Sequence, residues 1–223
     1  MRPFPVKSLS ATLALALAVS ACGHEQDEAE SAEEFAQQLA LGVDLSYIGM
    51  GSPRQMIAES DLVARGVLTD VFEGVEYEYE GPADDGRYTG IYLTFEVAVE
   101  EVLAGDESLV RDGKVYVMVD KANPTSPRDL AAANPRPEVL LVLLDHTQWL
   151  PDHASAVIRP ERMPSDAPIF FARPDGLWLQ TPSDQEMVSP FTTTEALDPT
   201  WGRPRTIDEM AEVVRACRQG DCP

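Results

Sequence analysis

The sequence has few basic residues, few histidines and few cysteines. The shortage of basic residues argues against one class of partner. Its 223 residues include 17 Lys and Arg against 38 Asp and Glu, a formal charge of −21. A surface this acidic repels phosphate backbones, so we expect no nucleic-acid partner. The 44% hydrophobic and 25% charged residues are typical of a globular chain, which excludes collagen-like, fully disordered and multi-span membrane proteins.

The sequence also lacks the common catalytic signatures. It has no Gly-x-Ser-x-Gly elbow, no His-Glu-x-x-His pair and no glycine-rich phosphate loop. Its acidic residues are too numerous to single out one acid–base couple. The sequence therefore assigns no catalytic residue and no cofactor.

The clearest positive signal is at the N-terminus. Two basic residues precede an apolar run over Leu9–Val19, which is too short to span a bilayer and is typical of a secretory leader. The run ends in Val19-Ser20-Ala21-Cys22, which resembles the lipobox of bacterial lipoproteins. This resemblance implies a signal peptide over residues 1–21 and diacylation of Cys22, with palmitate-type chains that hold the protein at the extracytoplasmic face of the cell membrane. The alternative is an ordinary secretory leader with an incidental cysteine.

An acidic segment follows the predicted anchor. Six of the ten residues over 25–34 are Asp or Glu. We expect residues 22–34 to form a disordered tether that anionic lipid headgroups repel, and residues 35–223 to form a single β-rich domain.

Hydrophobic alternation predicts most of the strands. Residues 92–100 alternate, with the apolar side chains on one face. The predicted strands are 62–72 with a bulge or bend at Gly66, 92–100, 115–119, a doubly covered strand at 139–144, and a hairpin of 169–172 and 177–180 around Pro174-Asp175-Gly176. We expect 80–86 to be a loop, and 123–137 and 181–205 to be irregular.

Capping signals predict three helices. The starts are Ser31 with Glu34, Ser52 with Pro53, and Thr206 with Glu209. The first helix ends near Gly42 and the last near Gly220. We expect the apolar stripe of the last helix to pack on the sheet; it consists of Ile207, Met210, Val213, Val214 and Cys217.

Residues 52–145 carry a fold-level resemblance. The spacing of Ser60–Leu68, Tyr92–Val97 and Val102–Gly105 before a valine-rich strand resembles uncharacterised bacterial surface lipoproteins. It is also similar to the OB-like (oligonucleotide/oligosaccharide-binding-like) barrel of netrin-like domains and tissue inhibitors of metalloproteinases. Those inhibitors act through a free N-terminal cysteine, whereas Cys22 here is predicted to be lipidated. The resemblance therefore implies only the fold: mainly β with flanking helices (α+β), a small OB-like antiparallel barrel with a C-terminal helix.

Cys217 and Cys222 are the two remaining cysteines. An even pair in an exported protein favours a disulfide, provided that the last helix ends near Gly220 so that the chain can turn back. A redox-active pair is the alternative, but the spacing is not Cys-x-x-Cys.

One segment, Asp145–His153, concentrates candidate ligands. Asp145-His146 and Asp152-His153 each place a histidine after an aspartate, a pairing that suits zinc or copper. The alternative is a pair of polar residues in a surface turn, and no metal is assigned. Trp149, Trp178 and Trp201 are predicted to be core or sheet-covering residues, with a ligand groove as the alternative.

These observations predict a lipid-anchored cell-envelope protein that binds a protein, peptide or small ligand and performs no catalysis. The alternative is a metal-dependent envelope enzyme or metal-binding protein that uses Asp145–His153. A third hypothesis is a structural component of the envelope, which is suggested only by the lack of an evident site.

Overall fold

The computed structural model describes residues 31–40, 49, 51–79, 92–121, 126–152 and 154–222. The strands are β1 (Leu62–Glu73), β2 (Glu76–Tyr79), β3 (Tyr92–Gly105), β4 (Lys114–Asp120), β5 (Glu138–Asp145), β6 (Ala154–Ile158) and β7 (Phe170–Gln180). The α-helices are α1 (Ala32–Ala40), α2 (Pro53–Glu59), α3 (Pro127–Ala133) and α4 (Ile207–Gln219).

Five strands close into a barrel in the order β1-β3-β4-β7-β5, with β5 pairing back to β1. The strands β2 and β6 lie outside the barrel. When the five barrel strands alone are numbered along the chain, their order around the barrel is 1-2-3-5-4. The chain is mainly β with flanking helices, and the predicted OB-like barrel with a C-terminal helix is confirmed. The barrel is mixed, because β4 and β7 are parallel where Val117 and Met118 meet Phe170 and Phe171, while the other four pairs are antiparallel.

The barrel interior is filled by inward-facing residues of all five strands, for example Leu68, Phe95, Val117, Leu141 and Leu179. Two helices contribute to this core. Phe35 of α1 is fully buried, with its ring centroid 6.2 Å from that of Phe95, and α3 inserts Leu130. Residues 32–34, at the end of the predicted tether, form the first turn of α1, and Gly42 lies outside the described residues.

A second core lies outside the barrel, beneath α4. The helix is capped at its start by Thr206, whose side chain accepts the Glu209 N–H, and at its end by Gly220, as predicted. Its buried residues pack against outward-facing residues of β5 and against Trp178 and Trp201. Four residues of the predicted apolar stripe therefore pack in this core: Ile207, Met210, Val213 and Val214. The structure joins Cys217 and Cys222 in a disulfide immediately after this packed stretch.

A third core lies on the outer face of β3, β4 and β7. The antiparallel pair β2–β6 covers this face and contributes Tyr77 and Val157. Sequence analysis did not predict β2 or β6, because four or five residues with mixed side chains give too short a pattern. Both strands belong to connections between barrel strands: β2 lies between β1 and β3, and β6 lies between β5 and β7.

The predicted strands in β1, β3, β4 and β5 are confirmed, and β5 is buried on both faces. The register between β1 and β3 shifts at Arg65/Gly66, as the glycine suggested. A Cβ at Gly66 would lie 2.1 Å from the carbonyl oxygen of Ala98, so the two strands approach too closely there for a side chain. Residues 181–205 are largely irregular, with the short 3₁₀ helices Thr194–Ala196 and Pro199–Trp201 and an isolated bridge from Val188 to Leu179.

Two predictions were wrong. The predicted hairpin at 169–180 is the single strand β7, in which residues 173–176 bulge opposite Val142. Proline and glycine mark bulges as well as turns, and pairing with β5 on either side keeps the strand continuous. The stretch 123–137 contains α3, whose start resembles that of α2: Ser126 accepts the Asp129 N–H and Pro127 is the first helical residue.

The predicted leader, Cys22 and residues 80–86 lie outside the described residues. Within the described ranges, none of the helices is both long enough and apolar enough to cross a bilayer.

Candidate functional site

Five ring-bearing side chains meet on the outside of the barrel: Tyr77, Tyr92, His146, Trp149 and Phe171. We call them the aromatic surface. Tyr92 contacts Phe171 edge-on with ring centroids 5.1 Å apart, and Tyr77 contacts Tyr92 at 6.2 Å and Trp149 at 5.9 Å. His146 lies 4.7 Å from Phe171 and 5.2 Å from Trp149. These distances are those of mutually packed rings, which hold one another in place.

Strand alternation places three of these rings. Tyr92 begins β3 and Phe171 is the second residue of β7, and both point out of the barrel because their neighbours Leu93 and Phe170 point into it. Tyr77 faces them from β2.

A turn after β5 places the other two rings. The His146 N–H donates to the carbonyl of Ile169 at 2.8 Å, which holds the turn against the start of β7. The Trp149 N–H then donates to the His146 carbonyl at 3.0 Å, and the centroids of the two rings lie 5.2 Å apart.

The aromatic surface is partly open to solvent. Trp149 is 44% exposed and so is the adjacent Leu150, whereas Tyr77 beneath them is 2% exposed. A large exposed apolar side chain resting on buried rings is a common feature of ligand and partner surfaces. The other two tryptophans are fully buried, as predicted: Trp178 donates its indole N–H to Asp175 and Trp201 to Gly51.

His146 combines a packed ring with an unsatisfied nitrogen. Its Nδ1 is buried and has no hydrogen-bond partner within the described residues. Burial lowers the pKa of His146, against the opposing charges of Asp145 and Asp61, so the imidazole is neutral at pH 7. A neutral imidazole carries one donor and one acceptor nitrogen, and an unsatisfied buried nitrogen costs about 1–3 kcal/mol.

Among the described residues of the predicted metal-ligating segment, Asp145, His146 and Asp152 do not form a group that could hold a metal ion. Asp145 accepts both the backbone N–H and the hydroxyl of Thr147, whereas the His146 ring packs against Trp149 and Phe171. Asp152 is exposed, and His153 lies outside the described residues. Across the described ranges, no three His, Cys, Asp or Glu side chains form a group that could hold a metal ion.

Packing also changes the acidity of groups around the aromatic surface. Burial raises the pKa of Tyr77 to about 12, and it raises the pKa of Tyr92 with a further contribution from the charge of Asp120. Both phenols are therefore neutral at pH 7. Loss of water around the carboxyl also raises the pKa of Asp120, although the residue is exposed to solvent.

Sequence analysis identified His146 and Trp149 as candidates but missed Tyr77, Tyr92 and Phe171. Tyr92 could have been found from the alternation in β3, because that pattern places it on the face opposite the barrel interior. Tyr77 and Phe171 could not be connected with it, since their proximity depends on the pairing of β2 with β6 and of β4 with β7.

Comparisons with known proteins add no functional assignment: no family model, no curated protein and no solved structure matches this chain.

Proposed function

We propose that the protein is a lipid-anchored envelope protein that binds a peptide, protein or small ligand on the aromatic surface. The observation that carries this proposal is the exposed Trp149, which packs against three other rings, Tyr77, His146 and Phe171, from three separate parts of the chain. Tryptophan and tyrosine are enriched at recognition surfaces because they provide large, rigid contact areas at low entropic cost.

The position of the surface on the barrel supports the same proposal. OB folds bind ligands on one barrel face, between the connections that follow the first and fourth barrel strands. Here the connection after the first barrel strand, β1, contains Tyr77. The connection after the fourth barrel strand, β5, contains His146 and Trp149. This support is an analogy between folds, and it indicates a location without identifying a ligand.

The chemistry of the surface favours binding over catalysis. Its rings offer stacking faces and apolar edges, and its two phenols have pKa values raised above the ordinary value. Raised values oppose the formation of phenolate, which is the nucleophilic and basic form. We therefore propose a non-enzymatic function for this surface.

The lipid anchor at Cys22 is the second part of the proposal, and it rests on the lipobox-like sequence. Two or more acyl chains, at about 0.8 kcal/mol per buried CH₂, would hold the protein at the membrane. We expect the full-length chain expressed in a bacterium to partition into detergent and to carry a diacylglycerol mass. Cys22→Ser should abolish both, and an aqueous wild-type protein with an unmodified cysteine would contradict the anchor.

Calorimetric titration tests the binding surface. The protein would be titrated with short peptides of different charge and with oligosaccharides from bacterial envelopes. Trp149→Ala should abolish whatever binding is found. Ile158→Ala is a matched control, since Ile158 is also an exposed apolar residue but lies on the outer face of the β2–β6 pair, opposite Glu76. Equal loss in both variants, or none in Trp149→Ala, would contradict the proposed site.

A further inference from the structure

Asp120 places a carboxylate beside the aromatic surface. It is the last residue of β4, directly opposite Tyr92 of β3 in the antiparallel register. Residues opposite each other in a sheet point to the same face. Met118, two residues earlier, contacts the third core, so the outward row of β4 continues from Met118 to Asp120 and ends next to the Tyr92 ring.

Among the residues that the structure describes, none of the cationic side chains forms an ion pair with the Asp120 carboxylate. Asp70, Glu96 and Glu101 each form an ion pair, with Arg162, Lys114 and Arg215 respectively. Within the described ranges, the side chain of Asp120 forms neither a hydrogen bond nor an ion pair. Packing against its neighbours raises the pKa of this carboxyl, although the residue is exposed to solvent.

A carboxylate beside several aromatic rings is complementary to an organic cation. Ring faces attract ammonium and guanidinium groups, and a nearby carboxylate adds a direct ion pair. The alkyl stem of a lysine or arginine would at the same time cover the exposed indole of Trp149. Anions are disfavoured, because Asp145 lies next to the His146 ring and the chain carries a net charge of −21.

We propose that the aromatic surface binds the cationic side chain of a basic peptide segment, with Asp120 as its ion-pair partner and with Tyr92, Phe171 and Trp149 as its ring contacts. This inference rests on the proposed function and specifies its ligand class. The acidic character of the chain assists by attracting such a segment at long range, an effect that weakens as salt is added.

The test compares three peptides of equal length: trilysine, trialanine and triglutamate. Their binding to the full-length protein in detergent is measured by calorimetry at 50 and 300 mM NaCl. We expect trilysine alone to bind measurably, and Asp120→Asn to weaken its affinity about tenfold. Asp112→Asn removes the same charge at the other end of β4 and should leave the affinity within about twofold, which separates a local ion pair from general attraction by an acidic protein.

Other outcomes overturn the inference in distinguishable ways. If trialanine and trilysine bind equally and Trp149→Ala abolishes both, the surface binds a ligand but does not recognise a cation. If Asp112→Asn and Asp120→Asn weaken trilysine equally, attraction is unspecific and Asp120 has no special role. If none of the peptides binds, the inference is wrong, and the saccharide titrations then decide the proposed function separately.

Discussion

The carboxylate of Asp184 accepts the backbone N–H of Ala32, 152 residues earlier in the chain, at 3.3 Å. The same oxygen accepts the backbone N–H and the hydroxyl of Thr181, both at 2.7 Å. Asp184 thus joins the first turn of α1 to the segment that follows β7. An N-terminal turn leaves backbone N–H groups without helical partners, and a carboxylate there also interacts favourably with the helix dipole.

We expect Asp184→Ala to destabilise the docking of α1 and to cost about 1–2 kcal/mol of unfolding free energy. Amide hydrogen exchange should speed up in residues 32–40 and hardly change in α4. Ser31→Ala removes only the local hydrogen bond from the Glu34 N–H to the Ser31 hydroxyl, and it should lower the free energy of unfolding by less. Unchanged exchange in α1 of the Asp184 variant would show that its apolar contacts alone hold the helix.

Gly66 tests the close approach of β1 and β3. An alanine there would bring its Cβ against the Ala98 carbonyl oxygen, which belongs to the backbone and cannot rotate away. We expect Gly66→Ala to lower the free energy of unfolding by about 3 kcal/mol. Gly113→Ala is the control: its Cβ would meet nothing within 4 Å, and only the φ of 72° opposes it, at about 1–2 kcal/mol. Urea titrations that rank the two variants in the reverse order would contradict the register of these strands.

His146 should make stability depend on pH. Burial lowers its pKa below the ordinary value of 6.5, so the unfolded chain takes up the proton first as the pH falls. The free energy of unfolding contributed by the neutral His146 is therefore fully present above about pH 6.5. It is lost as the pH falls through the lower pKa of the folded state. His146→Phe removes it and also replaces the unpaired Nδ1 by a carbon. We expect the variant to gain stability relative to wild type between pH 7.5 and 5, in thermal melts at matched salt. A constant difference across that range would contradict the assignment.

The Cys217–Cys222 disulfide closes a small loop after the packed part of α4. Loop-closure entropy predicts a contribution of about 2 kcal/mol. The double variant Cys217→Ser, Cys222→Ser should therefore melt at a lower temperature but keep its fold, because the contacts of Ile207, Met210 and Val214 precede the bond. Near-ultraviolet circular dichroism should be unchanged at 20 °C. Loss of that signal would mean that the disulfide holds the helix on the barrel.

Much of the fold follows from local patterns, and the site does not. The alternation in β3, the continuous apolar run in β5 and the caps at Thr206 and Gly220 are local, and each was recognisable in the sequence. The bulge in β7 was taken for a turn because Pro174-Asp175-Gly176 suits both, and only pairing with β5 decides between them. The helix α3 was missed although Ser126-Pro127 gives the same signal as Ser52-Pro53.

The aromatic surface depends on long-range pairing. Tyr77 reaches Tyr92 and Trp149 only because β2 pairs with β6, and Asp120 joins them through its register with Tyr92. The metal hypothesis for Asp145 and His146 rested on adjacency in the sequence. In the structure, Asp145 instead bonds to Thr147, whose hydroxyl also accepts the N–H of Ile169.

The three indole N–H signals provide the most direct test of whether the aromatic surface is the binding site. In a proton–nitrogen correlation spectrum, Trp178 and Trp201 report on the core, where their N–H groups are hydrogen-bonded to backbone carbonyls, and Trp149 reports on the aromatic surface. Single Trp→Phe variants would assign the signals. Trilysine should shift the Trp149 signal in a saturable manner and leave the signals of Trp178 and Trp201 in place. A Trp149 signal that does not respond while the protein binds the peptide would contradict the aromatic surface as the binding site.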